Sequence, residues 1–292
     1  MTSPRPSIWV NGTRHEVEGT HVSGRDRGLT LADGVFETMR AHGGTVFRLE
    51  RHLSRLHHAL DVLAIPAPPA IRDWVLDAVQ TFDAAHASVR LTVTRGPAPA
   101  GLAPPHDASP TVIVAVNPMP QFPSTIYSSG LRLQVATGRR NERAETAGLK
   151  TTGYTDAIVA FARAQRAGAD DALFLDTEGH CSEATSSNLF VWTGDLLVTP
   201  PLSCAVLPGI TRATVLELAA ALGIDAAERA FAVDTLLGAR EAFLTSSLRG
   251  LAPVVRVDES MIGDGAPGEL TRRLAASYAA LVAEQCGIAP AA

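Results

Sequence analysis

Ala147-Gly148-Leu149-Lys150-Thr151-Thr152 lies midway along the chain and carries the only lysine in 292 residues; every other basic side chain apart from histidine is an arginine. Lys150 follows small and apolar neighbours, so it reads as a desolvated amine, nucleophilic as the free base. The segment also echoes the end of a phosphate-binding loop. Leu149 separates Gly148 from the lysine, however, and the upstream glycine of that motif is missing, which sets a nucleotide site aside. Just before this stretch, Leu131 to Ala136 is strand-like. Just after it, Thr155 to Ala167 reads as a helix stopped by Gly168, followed by the strand Ala172 to Leu175. Further upstream, Asn117-Pro118-Met119-Pro120-Gln121-Phe122-Pro123 marks a domain break, because closely spaced prolines continue neither strand nor helix.

The pattern predicts an α/β (α+β) chain of two domains: a small N-terminal domain over 1–117, a linker over 118–126, and a larger domain over 127–292. In the first, Ile8-Trp9-Val10 followed by Asn11-Gly12 reads as a hairpin. Leu49, Leu53, Leu56, Leu60 and Leu63 recur at helical spacing, and Ala70 to Ala85 carries a second helix. Ser88 to Thr94 and Thr111 to Val116 are strands. In the second, Asn188 to Trp192 and Leu196 to Thr199 form a hairpin. The helix Arg212 to Leu222 follows, then the strand Glu241 to Thr245 and a helix over Glu269 to Gln285.

Composition narrows the function. Hydrophobic residues make up 46% and charged ones 19%, enough for a sizeable core. The net charge of -5 excludes a globally basic nucleic-acid binder. No run of about 18 apolar residues suggests a membrane span. Cys181, Cys204 and Cys286 are widely spaced with no C-x-x-C pair, so neither a disulfide framework nor a cysteine zinc site is expected. With no apolar signal core after Met1, a reducing, cytoplasmic location is the expectation. Gly263-Asp264-Gly265-Ala266-Pro267-Gly268 matches a dinucleotide fingerprint, but too little chain follows it for a βαβ unit. His52, His57 and His58 do not share a helix face, so solvated histidines are expected there and no metal is.

Four blocks, taken in order, resemble the fold-type IV pyridoxal-phosphate enzymes, the class IV aminotransferases. They are Asp26-Arg27-Gly28-Leu29-Thr30-Leu31-Ala32-Asp33-Gly34-Val35-Phe36-Glu37-Thr38 with His52-Leu53-Ser54-Arg55-Leu56 behind it; the Lys150 segment; Glu183-Ala184-Thr185-Ser186-Ser187-Asn188-Leu189-Phe190; and Leu207-Pro208-Gly209-Ile210-Thr211-Arg212. That family includes branched-chain and D-amino acid aminotransferases and aminodeoxychorismate lyase. The resemblance implies pyridoxal 5'-phosphate as cofactor, an active site between two domains, and a homodimer with active sites at its interface. It implies Lys150 as the imine-forming lysine and Glu183 as partner of the pyridine nitrogen. Arg55, Ile210, Thr211 and Ser247 are implied as phosphate contacts. The chemistry agrees, since such an enzyme needs an amine, a carboxylate for the ring nitrogen and donors for the phosphate. A helix start at Gly209-Ile210-Thr211 offers the last, although plain capping by Thr211 is compatible with the same residues.

Substrates of the family are amino and keto acids. Phe36-Glu37-Thr38 and Val89-Arg90-Leu91-Thr92 depart from the Phe-Glu-Gly and Tyr-x-Arg-Pro signatures of branched-chain enzymes. The chain looks closer to D-amino acid aminotransferases and to the lyase. Yet Phe36, Ala100 and Leu102 stand where D-amino acid enzymes hold the substrate carboxylate with Tyr, Arg and His. Arg27 (expected to reach across a dimer interface), Arg90 and Arg249 are the cations left for that carboxylate, with Leu248 beside them. The expectation is a transaminase passing an amino group from a D-amino acid to pyruvate or 2-oxoglutarate. The alternatives are aminodeoxychorismate lyase, then a branched-chain L-amino acid or (R)-amine transaminase.

Overall fold

The computed structural model describes residues 5–288. The described residues divide into two compact units: 5–120 together with Leu149–Gly153 and 282–288, and Gln121–Gly148 with Tyr154–Leu281. The expected linker holds the end of the strand Thr111–Pro118 and the start of a short helix, Thr125–Ser128. The Lys150 segment, expected in the C-terminal domain, clusters with the N-terminal one instead.

The first unit is built on a six-stranded antiparallel sheet. Its spatial order is Thr13–His15, Ser7–Val10, Thr111–Pro118, His86–Thr94, Gly34–His42 and Thr45–Val46. The opening hairpin turns at Asn11 and Gly12, both at positive φ, which is why that dipeptide predicts it correctly. The helices Leu49–Val62 and Ile71–Gln80 lay Leu53, Leu56, Leu60, Ile71 and Val75 against Met39, Val89, Leu91 and Val114 of the sheet.

One end of this sheet carries a pH-sensitive pair. His42 faces His86 across paired strands, and its Nε2 is buried without a hydrogen-bond partner. Burial, with the charges of Arg40 and His86, pushes the His42 imidazole down from 6.5 to about 4. The folded state therefore refuses a proton that the unfolded chain accepts below 6.5, so stability falls as pH drops from 6.5 toward 4. Buried His52 is also pushed down and acts in the same direction. Denaturant titrations at pH 7 and pH 5 are expected to show this loss, and His42→Asn to flatten it; an unchanged slope in the variant removes His42 as the cause.

The second unit holds a nine-stranded mixed sheet. Its main path runs Ala226–Glu228, Leu197–Thr199, Asn188–Trp192, Glu241–Ser246, Gly250–Val257, Leu131–Arg140, Asp171–Asp176 and Cys181–Ala184. The path closes on itself through one pairing, Asn188 opposite Glu183. Leu133, Leu173, Leu189, Leu244 and Val254 fill its interior. The helix Thr155–Arg166 packs Ala164 on Ala172 and Phe174. The Gly263–Gly268 segment precedes the helix Glu269–Gln285, whose first-turn amides at Leu270 and Thr271 donate to the Glu241 carboxylate. That helix start already holds an anion of the chain itself, in keeping with the rejection of a dinucleotide site. No described helix is long and apolar enough to cross a membrane.

Candidate active site

Lys150 is held by its backbone. Its C=O accepts the Phe36 N–H at 2.9 Å, and the Thr152 N–H donates to the Gly34 C=O at 2.9 Å, so the segment pairs with the start of the strand Gly34–His42. The Thr152 hydroxyl adds a bond to the Ala32 C=O. This staple sets the Lys150 Nζ 4.5 Å from the centroid of the buried Phe36 ring. The Arg90 guanidinium carbon lies 3.7 Å from the same centroid. The Lys150 amine and one of the candidate carboxylate-binding cations thus share one aromatic neighbour.

One residue beyond Phe36, Glu37 is fully buried and takes three bonds. Arg55 grips it bidentately at 2.7 and 2.6 Å, and His52 Nδ1 lies 2.6 Å from Oε2. Burial works to raise the Glu37 carboxyl, but the bonds from His52 and Arg55 outweigh it and hold the group at about 2. His52 is pushed the other way from its salt-bridge expectation, toward the neutral form, because burial dominates. The expected solvated histidine is therefore a correction: His57 and His58 are exposed, whereas His52 is buried on the helix face that meets Glu37. Neither His52 nor Glu37 carried a role in the sequence reading. Sequence pattern shows no link between them, because their contact joins a helix to a strand.

Arg27 is the second correction. It does not project: its side chain is 5% exposed. Its Nε meets Asp33 at 2.7 Å, and its other nitrogens donate to the carbonyls of Gly101, Leu102 and Ala103. Arg95 closes on Asp33 from another side. Both arginines together hold the Asp33 carboxyl below the ordinary carboxylate range against the opposing effect of burial. Breaking a buried pair of this type costs about 3–5 kcal/mol, so Arg27 is a structural post for the 101–103 loop. Phe36 is buried, whereas Ala100 and Leu102 lie exposed on that loop.

In the second unit, Glu183 is fixed by the sheet closure. Asn188 Nδ2 and the Leu207 N–H donate to its Oε2, each at 3.0 Å, and Arg140 stands 3.7 Å from Oε1. Asn188 also donates to the Leu207 C=O at 2.9 Å, which ties the strand to the Leu207-Pro208-Gly209 segment. Gly209 makes room there: a Cβ would fall 1.9 Å from Asn188 Oδ1, so a larger residue would displace the Asn188 side chain. It is also the N-cap of the helix Ile210–Ala221, which has no side-chain cap. The Thr211 capping expectation is thereby corrected, since Thr211 lies inside the first turn. The backbone amides of Ile210 and Thr211 open a three-turn helix at the positive end of its dipole, a position suited to an anion. Asn188 and Arg140 are the residues the sequence reading left without a role; only the quoted Glu183–Asn188 block hinted at the first.

Ser247 and Leu248 are half-buried in the turn between the strands Glu241–Ser246 and Gly250–Val257. Arg249 follows them, but its guanidinium faces the buried Asp171 at 3.6 Å and Ser187 at 3.3 Å. That charge is already met, which corrects its candidacy for the substrate carboxylate.

Comparison with known proteins agrees on one group. The family model described as amino-transferase class IV matches residues 34–257. D-alanine aminotransferase of Bacillus licheniformis is 30% identical over 270 residues, covering 91% of this chain and 94% of that protein. Among solved structures, 4-amino-4-deoxychorismate lyase from Pseudomonas aeruginosa superposes with a TM-score of 0.84 at 35% identity, covering 92% of this chain and 97% of that one. Branched-chain amino acid aminotransferase from Escherichia coli does so with 0.88 at 27%, covering 97% and 96%.

Proposed function

The chain belongs to the class IV aminotransferase family, whose enzymes use pyridoxal 5'-phosphate, and from that premise we propose that it moves the amino group of a D-amino acid to pyruvate or 2-oxoglutarate. The residues fit the cofactor: a single lysine amine, a carboxylate oriented by two donors, and an uncapped helix start preceded by a glycine whose missing Cβ leaves room for Asn188. When bound, pyridoxal phosphate supplies a carbon that takes up the amino group and a ring that spreads the negative charge left at the substrate Cα. Lys150 Nζ takes the proton from that Cα. Glu183 holds the proton on the ring nitrogen, with Asn188 and the Leu207 N–H keeping its carboxylate in place. Ile210, Thr211 and Ser247 hold the phosphate, joined by Arg55, which Glu37 and His52 orient.

The observation that carries the substrate class is the Phe36 ring with Lys150 on one contact and Arg90 on another. An α-amino acid carries its carboxylate a few bonds from its amine, and Arg90 offers that carboxylate a guanidinium beside the Lys150 amine. The D-series is supported by the missing branched-chain signatures and by the Bacillus licheniformis relative. We assign Arg90, rather than Arg27 or Arg249, to the carboxylate. A charge-assisted contact is worth about 1.5–3 kcal/mol, so Arg90→Leu is expected to raise KM for amino acids by about 10–100-fold. Cofactor affinity and turnover of (R)-amines, which have no carboxylate, are expected to stay unchanged. Equal losses with both substrate types make Arg90 structural.

The proposed homodimer rests on the family and on the exposed apolar side chains of Leu29, Leu31 and Leu102 in the first unit. The proposed cytoplasmic location rests on three free cysteines. A second reading, aminodeoxychorismate lyase, is favoured by the Pseudomonas aeruginosa structure. Half-reactions of the cofactor-loaded protein with D- and L-amino acids separate the readings. Bleaching of the cofactor band by D-alanine or D-glutamate supports the proposal. Bleaching by L-branched-chain donors alone overturns it, and pyruvate release from aminodeoxychorismate makes the protein the lyase.

A further inference from the structure

The turn Asp176-Thr177-Glu178-Gly179-His180 joins the strands Asp171–Asp176 and Cys181–Ala184. Asp176 Oδ1 accepts the backbone N–H groups of Glu178 at 3.0 Å and His180 at 2.8 Å, so the turn fixes the carboxylate. Its Oδ2 lies 3.2 Å from His180 Nδ1. Cys204, at the end of the helical turn Leu202–Cys204, hydrogen-bonds the same carboxylate. One oxygen, one nitrogen and one sulfur atom from these residues all lie within 4.8 Å of one another.

Two features make this more than a turn cap. Asp176 and Cys204 are 2% and 3% exposed, yet among the described residues no arginine or lysine pairs with Asp176; its ion partner is His180 alone. A buried carboxylate held by hydrogen bonds and one histidine still gains from a cation nearby. The donor set also has a preferred ion. Zinc takes carboxylate oxygen, imidazole nitrogen and thiolate sulfur at about 2.0–2.3 Å, and its tetrahedron spaces such atoms about 3.3–3.8 Å apart. The Asp176–His180 separation of 3.2 Å lies just short of that range, and the half-exposed His180 leaves a path for entry.

We propose that Asp176, His180 and Cys204 bind one zinc ion, with water in the fourth position. The Cys204 thiol loses its proton to solvent on binding, so one carboxylate and one thiolate balance the two charges of the ion. Burial and the Asp176 carboxylate push that thiol up to about 12 without metal, which keeps it protonated in the apo protein. The ion clips two segments together. His180 stands three residues before Glu183, and Cys204 three before Leu207, whose N–H holds the Glu183 carboxylate. The site does not depend on which amino acid is the substrate.

Chelator-treated full-length protein, loaded with cofactor, is titrated with Co²⁺ and read as a difference spectrum against the Zn²⁺ form. One Co²⁺ per chain is expected, with the near-ultraviolet band of a cobalt–thiolate bond. Cys204→Ser is expected to remove the band, and His180→Gln to weaken binding at least tenfold. Because His180 is half-exposed, the second variant tests the site even if the first does not fold. Zn²⁺ is expected to raise the Tm of the wild type but not of His180→Gln. Failure of the wild type to retain either metal overturns the site, as does a band or affinity unchanged in the variants.

Discussion

Replacing Lys150 with alanine is expected to abolish transamination and to remove the adduct that borohydride fixes between protein and cofactor. No second lysine can take over the amine. The loss is chemical rather than structural, because the bonds that seat the segment belong to the backbone. Alanine keeps the Lys150 C=O that accepts from Phe36 and leaves the Thr152 N–H on Gly34. Circular dichroism and Tm should therefore match the parent, while mass spectrometry after reduction finds no cofactor attached. An adduct that survives the change ends the assignment of Lys150.

Glu183→Gln is expected to leave the cofactor bound and to lower kcat by about 10²–10³-fold, the range for losing one electrostatic contact to a charge that builds up during reaction. Glutamine is nearly isosteric. Its amide oxygen can still accept from Asn188 and from the Leu207 N–H, so the sheet closure survives. The charge does not survive, and a neutral amide no longer favours a proton on the ring nitrogen. KM should move far less than kcat, which separates this role from a substrate contact. An unaltered kcat makes Glu183 a structural brace for the Leu207 segment.

Much of this was legible in the chain. Leu49–Val62 and Thr155–Arg166 follow from apolar spacing, and the closing helix Glu269–Gln285 agrees at both ends. Lys150 stood out by being alone. The strand Gly250–Val257 did not, since Pro253 sits in its interior and proline argues against a central strand; its two neighbours and a register shift after Val254 accommodate it. The strand Gly34–His42 was hidden for another reason. It is buried on both faces and carries Glu37 among apolar residues, so no alternation marks it. The roles of Arg27 and His52 were misread because their partners are remote in sequence. Arg27 bonds carbonyls 74–76 positions away, and a local reading sees only its glycine-flanked turn. The Asp176–His180–Cys204 group escaped for the same reason: a histidine and an aspartate four apart in a turn mean little until the thiol arrives from another segment.

The first unit completes itself with pieces supplied late. Its strand start at Gly34 and Phe36 waits for Leu149–Gly153, and its cluster takes in residues 282–288. At about 5–20 residues per second, the ribosome delivers Lys150 seconds after Pro120 and the last segment later still. An N-terminal fragment cut at the proline-rich stretch would thus expose an unsatisfied strand end, and a C-terminal one would lack the lysine's seat. Biosynthesis cannot close the first unit at Pro120: the strand start at Gly34 and Phe36 is completed only after the chain has been translated through Gly153.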